Sequence, residues 1–357
     1  MNLKEALETI NDSRIDRCKK HSLVDILMIV FFGLLCGYKS IESIHLYAEL
    51  STNVLKKYLV LANGIPSADT ILRVLAKIDT GQLGKVFIEY AKSVFGKKMQ
   101  DGDVLAFDGK TECGSEYSPA AENEMAHKAI HMVSAWASRL GVCFGQVRTE
   151  EKSNEITAIP ELLELLDLKG VIVTIDAMGC QKKIAKKIIE KKGDYYLALK
   201  GNQPETLSMV KSLLDEKYEQ RETFSGCCFF EASPEYGHGR IENRRAFQHP
   251  AVLIPQDLSE WSGLQSVVMV ESERHDPKSK TFATERRYYL SSRPVNAREA
   301  LESIRAHWGI ESMHWQLDVT YHEDMSTIRA GNAAANLNIL TKFVLSALRR
   351  EGKALKL

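Results

Sequence analysis

The sequence predicts an α/β fold: a mixed sheet flanked by helices, with a β-rich insertion and an all-helical N-terminal domain. Three observations support this prediction. The first 98 residues show only helical periodicity, the middle of the chain alternates strand and helix patterns, and four further strand patterns follow residue 201. The chain has 357 residues, enough for two domains or for one domain with a large insertion.

Composition limits the classes of protein that the chain can belong to. Lys+Arg and Asp+Glu number 47 each, so a nucleic-acid partner cannot be argued from net charge and any basic surface must be local. The seven cysteines are an odd number without CxxC spacing, which indicates reduced thiols in the cytoplasm and argues against a zinc cluster. The longest apolar run, residues 26–36, is too short to span a membrane, so no membrane partner is expected.

Residues 1–98 are predicted to be helical. An apolar run at residues 23–36 predicts a buried helix closed by Gly37, and Ser67 is placed to cap a later helix that has Asp69 in its first turn. Two interpretations of this domain stay open. It is either a small bundle that packs on the next domain or a domain that recognises DNA ends, and its few basic residues do not decide between them.

Residues 99–350 are predicted to form the catalytic domain, followed by a basic tail at 351–357. Its patterns run in the order three strands, helix, strand, helix, strand, at residues 103–108, 131–137, 142–147, 156–166, 171–176, 181–191 and 195–199. The first strand is predicted to end at Asp108 and the fourth at Asp176.

A β-rich insertion is predicted at about residues 203–292. Its strand patterns lie at residues 224–230, 241–247, 265–273 and 284–290. A last amphipathic helix is predicted at residues 332–348.

A helix with an acidic residue on its apolar face is predicted between the insertion and the last helix. Leu301, Ile304, Trp308 and Trp315 recur at helical spacing and form one stripe, and Glu311 lies on it. A carboxylate on a buried face is costly unless it is compensated. Either a bound cation or a neighbouring Arg or His could supply the compensation.

Asp108, Asp176 and Glu311 could form one cluster. In open α/β sheets, functional sites gather at the carboxyl ends of strands, where both Asp residues are predicted. Three carboxylates this close would suit one or two Mg²⁺ ions and two-metal phosphoryl transfer. The alternative is that each Asp caps the helix that follows its strand.

Six motifs across the chain resemble those of one family. They are Ala106–Lys110 (AFDGK), Glu151–Pro160 (EKSNEITAIP), Thr174–Gln181 (TIDAMGCQ), Leu199–Gln203 (LKGNQ), His238–Glu242 (HGRIE) and His307–Glu311 (HWGIE). Together they resemble the DDE transposases of bacterial insertion sequences, in the branch of the H-repeat-associated proteins. The resemblance covers nearly the whole chain, including Gly64–Thr70 in the helical region.

The resemblance implies an RNase H-like fold with a β-strand insertion before the helix that bears the catalytic Glu. It implies Asp108, Asp176 and Glu311 as catalytic ligands of Mg²⁺ or Mn²⁺, with two ions, and double-stranded DNA as partner, both as element ends and as target. It further implies a dimer in the active complex, in the cytoplasm and on the nucleoid when bound to DNA. The expected DNA-binding residues are Lys110, Lys152, Lys200, Gln203, His238, Arg240, Arg305 and His307.

The chain departs from the wider transposase group around Glu311. That group carries a Tyr and an Arg seven and four residues earlier and a Lys seven residues later, whereas this chain has Ile304, His307 and Asp318. Arg305 is the nearest substitute for the missing cation. The Arg and Lys through which the group contacts DNA therefore have no counterpart at these positions.

Other interpretations remain open. His307, Glu311 and His314 could be a zinc site, although a third strong ligand is missing; His238-Gly239-Arg240 is either a plain hairpin or a phosphate contact. The lysines at 182, 183, 186 and 187 form either a solvated face or a DNA track. The rivals to a transposase are a stand-alone nuclease of the same fold and a degenerate relative that only binds DNA. Glu323 and Asp324 are the next candidates if Glu311 is not the third acid.

Overall fold

The computed structural model describes residues 2–116, 128–149, 155–220, 226–237, 239–254, 258–277 and 281–355. The chain forms two compact units. Unit 1 comprises Met1–Met99, Asp108–Leu166 and Ile310–Leu357, and unit 2 comprises Gln100–Phe107 and Asp167–Gly309. No helix in the described ranges has the length and apolar character needed to cross a bilayer.

The first part of unit 1 is all helical, as the sequence predicts. Its helices are α1 (Leu3–Glu8), α2 (Leu23–Leu35), α3 (Ile41–Leu50), α4 (Thr52–Leu55), α5 (Ala68–Lys77) and α6 (Thr80–Phe95). Ser67 caps α5 as predicted, because its side chain accepts a hydrogen bond from the backbone N–H of Thr70. The apolar run that predicts a buried helix is α2, and most of its side chains are buried.

The strands of unit 1 begin with β1 (Val104–Glu112), whose first four residues belong to unit 2. β2 (Ile130–Ala137) and β3 (Val142–Thr149) correspond to two of the predicted strands and form an antiparallel hairpin, and the order in this unit is β3-β2-β1. The helices α6 and α7 (Glu155–Leu165) pack on β3. β1 runs four residues beyond Asp108, so the prediction that this strand ends at Asp108 is wrong.

Unit 2 contains a parallel core flanked by an antiparallel extension. β1 pairs in parallel with β4 (Ile172–Ile175), and β4 pairs in parallel with β5 (Asp194–Leu199), with α8 (Lys182–Glu190) between them in sequence. The apolar, β-branched run of β4 is buried on both faces, as expected for a parallel strand. The order β3-β2-β1-β4-β5 is the RNase H-like arrangement that the resemblance implies.

The insertion extends this sheet. It contains α9 (Pro204–Glu219), β6 (Cys228–Glu231), β7 (Glu235–Gly237), β8 (Arg240–Pro250), β9 (Ser266–Asp276) and β10 (Thr281–Ser291). β10 pairs antiparallel with β5, and the order continues as β10-β9-β8-β6, with β7 on β8. The strands confirm the predicted β-rich character, but the helix α9 was not predicted. Its buried Val210, Leu214 and Tyr218 are four residues apart, a helical pattern that the strand-like surroundings obscured.

The single helix predicted around Glu311 is two helices. α10 (Ala297–Ala306) is capped by His307, and α11 (Trp308–Tyr321) begins at the next residue. The last helix is α12 (Ala333–Leu355). The break shifts the buried face, because α11 buries Ile310 and Met313 while Trp315 is 62% exposed. The predicted apolar stripe is therefore wrong beyond α10, and Glu311 lies on an exposed face.

Candidate active site

Asp108 in β1 contacts an imidazole from α11, and both residues belong to unit 1. Its Oδ2 atom is 3.4 Å from Nδ1 of His314, and about a quarter of the Asp108 side chain (24%) is exposed. The second ring nitrogen of His314, Nε2, is buried without a hydrogen-bond partner in the described ranges. The contact orients Asp108 and leaves part of its carboxylate open to solvent.

The same face of α11 presents Glu311, His314 and Asp318, since residues three, four and seven apart share a helix face. His314 contacts Asp108, and Oδ1 of Asp318 lies 2.7 Å from Nζ of Lys110. The earlier residue of β1, Asp108, contacts the earlier residue of α11, and the later residue, Lys110, contacts the later one. Glu311 lies about one turn before His314 on this face, about 4.5 Å along the helix axis, and its side chain is exposed.

Lys110, an expected DNA-binding residue, is enclosed by carboxylates of unit 1. Its Nζ is 2.7 Å from Asp318, 2.9 Å from Asp324 and 3.2 Å from Glu323, and its side chain is 9% exposed. Burial acts to lower the pKa of Lys110, but the three carboxylates outweigh it and raise that pKa. The lysine therefore stays charged and holds β1 to the segment after α11.

Asp176 follows the last residue of β4 and belongs to unit 2. Its Oδ1 accepts hydrogen bonds from the backbone N–H of Met178 at 3.1 Å and of Gly179 at 3.5 Å. It therefore caps the turn after the strand rather than α8, whose N-cap is Gln181. The side chain is half-buried, which leaves part of the carboxylate accessible.

The two strands that carry the Asp residues are in register. Phe107 of β1 is paired with Ile175 of β4 in the last step of the parallel ladder. Asp108 and Asp176 each follow one member of that pair directly in sequence. β1 and β4 are thus neighbours in the sheet, although only β4 ends directly before its Asp.

Carboxylates of this kind suit a hard divalent cation by their chemistry, since Mg²⁺ prefers oxygen ligands. Asp108 and Asp176 are partly exposed and Glu311 is exposed, so their oxygen atoms are available to a ligand. In the described part of the chain, no group of three His, Cys, Asp or Glu side chains is arranged to hold a metal ion. The donor type fits the cation, and the three-carboxylate site remains a prediction.

Two amides hold the loop that follows Asp176. Nδ2 of Asn202 donates to the carbonyl of Ala177, and Nε2 of Gln203 donates to the carbonyl of Cys180 at 3.1 Å. Gln203 is an expected DNA-binding residue, and its amide is used here to shape the loop. Sequence reasoning assigned Asn202 no role, although it lies in the LKGNQ motif.

His307 and Arg305 have partners inside unit 2. Nδ1 of His307 is 3.0 Å from the Thr174 hydroxyl of β4, two residues before Asp176. The guanidinium of Arg305 lies 2.5 Å from Glu235. Burial acts to raise the pKa of Glu235, but Arg244 and Arg305 outweigh it and lower that pKa. Arg305 is thus tied to β7.

Two of the remaining expected DNA-binding residues are exposed, and two lie outside the described part of the chain. Lys200, at the end of β5, and Arg240, at the start of β8, are exposed. Lys152 and His238 lie outside the described residues.

The sequence interpretation names His314 only as a zinc ligand. Its spacing of three residues from Glu311 nevertheless predicts that the two side chains share a helix face.

Comparison with known protein families gives two matches that cover most of the chain. Residues 4–91 match the family described as DDE_Tnp_1-associated, and residues 100–346 match the family described as Transposase DDE domain. The boundary between the two matches lies close to the start of β1.

Similar proteins carry related names. The chain is 41% identical over 352 residues to "Putative transposase YncI" of Escherichia coli O157:H7, covering 97% of this chain and 87% of that protein. It is 37% identical over 372 residues to "H repeat-associated putative transposase YhhI" of Escherichia coli (strain K12), covering 98% and 94%. A shorter match, 35% over 80 residues and 22% of this chain, is to "Inactive transposase YbfQ" of the same strain. The second of these relatives bears the name of the branch that the motifs indicate.

Proposed function

Because the chain belongs to the DDE transposase family, we propose that it catalyses metal-dependent DNA strand cleavage and strand transfer at insertion-sequence ends. The observation that supports this most is the register of β1 and β4. Asp108 and Asp176 directly follow the paired residues Phe107 and Ile175, so two carboxylates emerge from neighbouring parallel strands. In such sheets ligands bind at the carboxyl ends of the parallel strands, and the parallel pairing of β1 with β4 ends at Phe107 and Ile175.

Asp108, Asp176 and Glu311 are the proposed ligands of the divalent cations, Mg²⁺ or Mn²⁺. Two bound ions would supply the positive charge that activates the attacking oxygen and stabilises the leaving oxygen in phosphoryl transfer. Cleavage frees a 3′ hydroxyl, which then attacks target DNA.

The neighbours of these acids position them. His314 orients Asp108 from α11, and the same helix carries Glu311 on the adjoining turn of the same face. Asn202 and Gln203 hold the loop that follows Asp176 through its carbonyl groups. Asp108 and Asp176 therefore point in fixed directions, which lowers the reorganisation needed during the reaction.

DNA is the proposed partner, with contacts from exposed cations to phosphate oxygens. Lys200 and Arg240 support this proposal because both are exposed in unit 2. Lys152 and His238 remain proposed on the family motifs alone. Lys110, Gln203, Arg305 and His307 have partners within the protein, so their proposed effect on DNA is through the shape of the site. A dimer in the active complex is also proposed.

A DNA-binding relative without cleavage is the second candidate. It is favoured by the absence, in the described ranges, of three donors arranged for a metal ion. The two candidates differ in one measurable property. A transposase needs the acids for cleavage, whereas a DNA binder keeps its function without them.

The test is a cleavage assay on DNA that contains the element ends, with Asp108→Ala, Asp176→Ala and Glu311→Ala. Each variant should lose Mg²⁺-dependent cleavage and keep DNA binding, because phosphate contacts come from Lys and Arg. Glu302→Ala is the matched control, since Glu302 is an exposed acid on α10. Wild-type cleavage by the folded Glu311→Ala variant would refute the role of Glu311. DNA binding by a wild-type protein that never cleaves would favour the second candidate.

A further inference from the structure

A hydrogen-bonded chain of three side chains, two of them buried, lies beside Gly109 in unit 1. Oγ1 of Thr111 is 2.8 Å from Nδ1 of His131, and Nε2 of His131 is 2.7 Å from Oε1 of Glu155. His131 is 1% exposed and Glu155 is 4% exposed. The three residues come from β1, β2 and the first turn of α7, so the chain ties three elements together.

Both ring nitrogens of His131 have a hydrogen-bond partner. Nε2 is bonded to the carboxyl group of Glu155, and Nδ1 is bonded to the hydroxyl group of Thr111, which can either donate or accept. Each polar atom of the ring is thereby satisfied, and rotation of the ring would break both bonds.

Gly109, the residue after Asp108, lies directly against this chain. A Cβ atom added there would collide with Oε1 of Glu155 and Nε2 of His131. The glycine is therefore required for space, since its φ is not in the left-handed region. The backbone next to Asp108 consequently has the His131–Glu155 pair as its immediate neighbour.

β1 is therefore fixed from both faces. Alternate residues of a strand point to opposite faces, so Gly109 and Thr111 share the face of the His131–Glu155 pair, and Asp108 and Lys110 share the other. On that other face, Asp108 meets His314 and Lys110 meets Asp318.

We propose that His131 and Glu155 are positioning residues for Asp108: they hold the strand behind it so that its carboxylate keeps one direction. The proposal rests on the proposed function, because it assumes that Asp108 binds the cation. Neither residue touches the reacting atoms. Groups that orient a metal ligand typically change metal affinity or activity by about 10- to 100-fold when they are lost.

The test compares Glu155→Gln with Glu155→Ala. Glutamine keeps an oxygen that accepts from Nε2 of His131, whereas alanine removes it. The probe is Mn²⁺ alone, titrated calorimetrically without DNA, followed by steady-state cleavage of end-containing DNA. For Glu155→Ala we expect Mn²⁺ affinity and kcat to fall by about 10- to 100-fold while KM for DNA changes less than about twofold. Glu155→Gln should restore both to within about threefold of wild type.

The control is Glu161→Ala, an exposed acid on the same helix, which should leave both quantities unchanged. If Glu155→Ala does not fold, Thr111→Val takes its place, because it removes only the hydroxyl end of the chain. A folded Glu155→Ala variant, or failing that a folded Thr111→Val variant, with wild-type Mn²⁺ affinity and kcat would overturn the proposal. Equal losses in the Gln and Ala variants would also overturn it.

The failure of the proposed function is a separate outcome. If Asp108→Ala binds Mn²⁺ and cleaves like wild type, Asp108 is not a metal ligand. Both the proposed function of Asp108 and the positioning role of His131 and Glu155 are then refuted. If Asp108→Ala loses both properties while Glu155→Ala keeps them, only the positioning role falls.

Discussion

Glu112, in a buried network of unit 1, makes the stability of the protein depend on pH. Its side chain is 2% exposed, and Nδ2 of Asn338 donates to its Oε1 at 2.6 Å and to Oε1 of Glu323 at 2.6 Å. Burial in the first place, and the Glu323 carboxylate in the second, raise the pKa of Glu112 to about 8 from an ordinary 4.5. Lys342 and Lys110 act in the opposite direction but do not cancel the effect.

The sign and size of the effect follow from these values. The unfolded chain ionises Glu112 near pH 4.5, whereas the folded chain keeps the proton until about pH 8. Unfolding therefore releases a proton between these values, and the free energy of unfolding falls as pH rises. The slope is at most about 1.4 kcal/mol per pH unit for one group, so the loss by about pH 7 is on the order of 3 kcal/mol.

The substitution Glu112→Gln isolates this contribution, because glutamine has the shape of the neutral acid and cannot titrate. Urea unfolding between about pH 5 and pH 8 should show a variant whose advantage over wild type grows with pH, by up to about 1.4 kcal/mol per unit. The control Glu302→Gln changes an exposed acid and should follow the wild-type profile. A constant difference between Glu112→Gln and wild type across this range would refute the reasoning.

Substitutions at Lys110, Gly109 and Lys200 give three further predictions. Lys110→Met should lower the free energy of unfolding by about 3 kcal/mol. This value is at the low end for breaking a buried ion pair, because Asp318 and Asp324 are partly exposed. A urea unfolding midpoint equal to that of wild type would contradict this prediction. Gly109→Ala should cost about 2 kcal/mol in thermal unfolding, since its Cβ would collide with buried polar atoms, and a melting temperature equal to wild type would show that the space exists. Lys200→Ala should weaken DNA binding across sequences and reduce the slope of log affinity against log salt by about 1; an unchanged slope would remove Lys200 from the phosphate contacts.

The sequence alone determined the elements whose signals are local. The run before Asp176 predicts a fully buried strand because it is apolar and β-branched, and β4 is that strand. Ser67 predicts a helix start because its hydroxyl can accept an orphan backbone N–H, and it caps α5. The family motifs, and with them the candidate acids Asp108, Asp176 and Glu311, are likewise visible in the sequence.

Tertiary structure decided which side chains those elements bury. The stripe predicted around Glu311 assumed one continuous helix, but the break at His307 lets α10 and α11 bury different faces. The phase of a helix is set by what packs against it, which the sequence of the helix does not contain.

Long-range partners were equally beyond the sequence. The AFDGK motif predicts that Lys110 contacts DNA. In the structure, the ammonium group of Lys110 is instead enclosed by acids that lie more than 200 residues later in the chain. The pairing of His131 with Glu155 depends on strand β2 meeting the first turn of α7 behind Gly109. A buried polar or charged side chain needs a partner, because burial makes the unpaired state costly. The fold decides which residue becomes that partner.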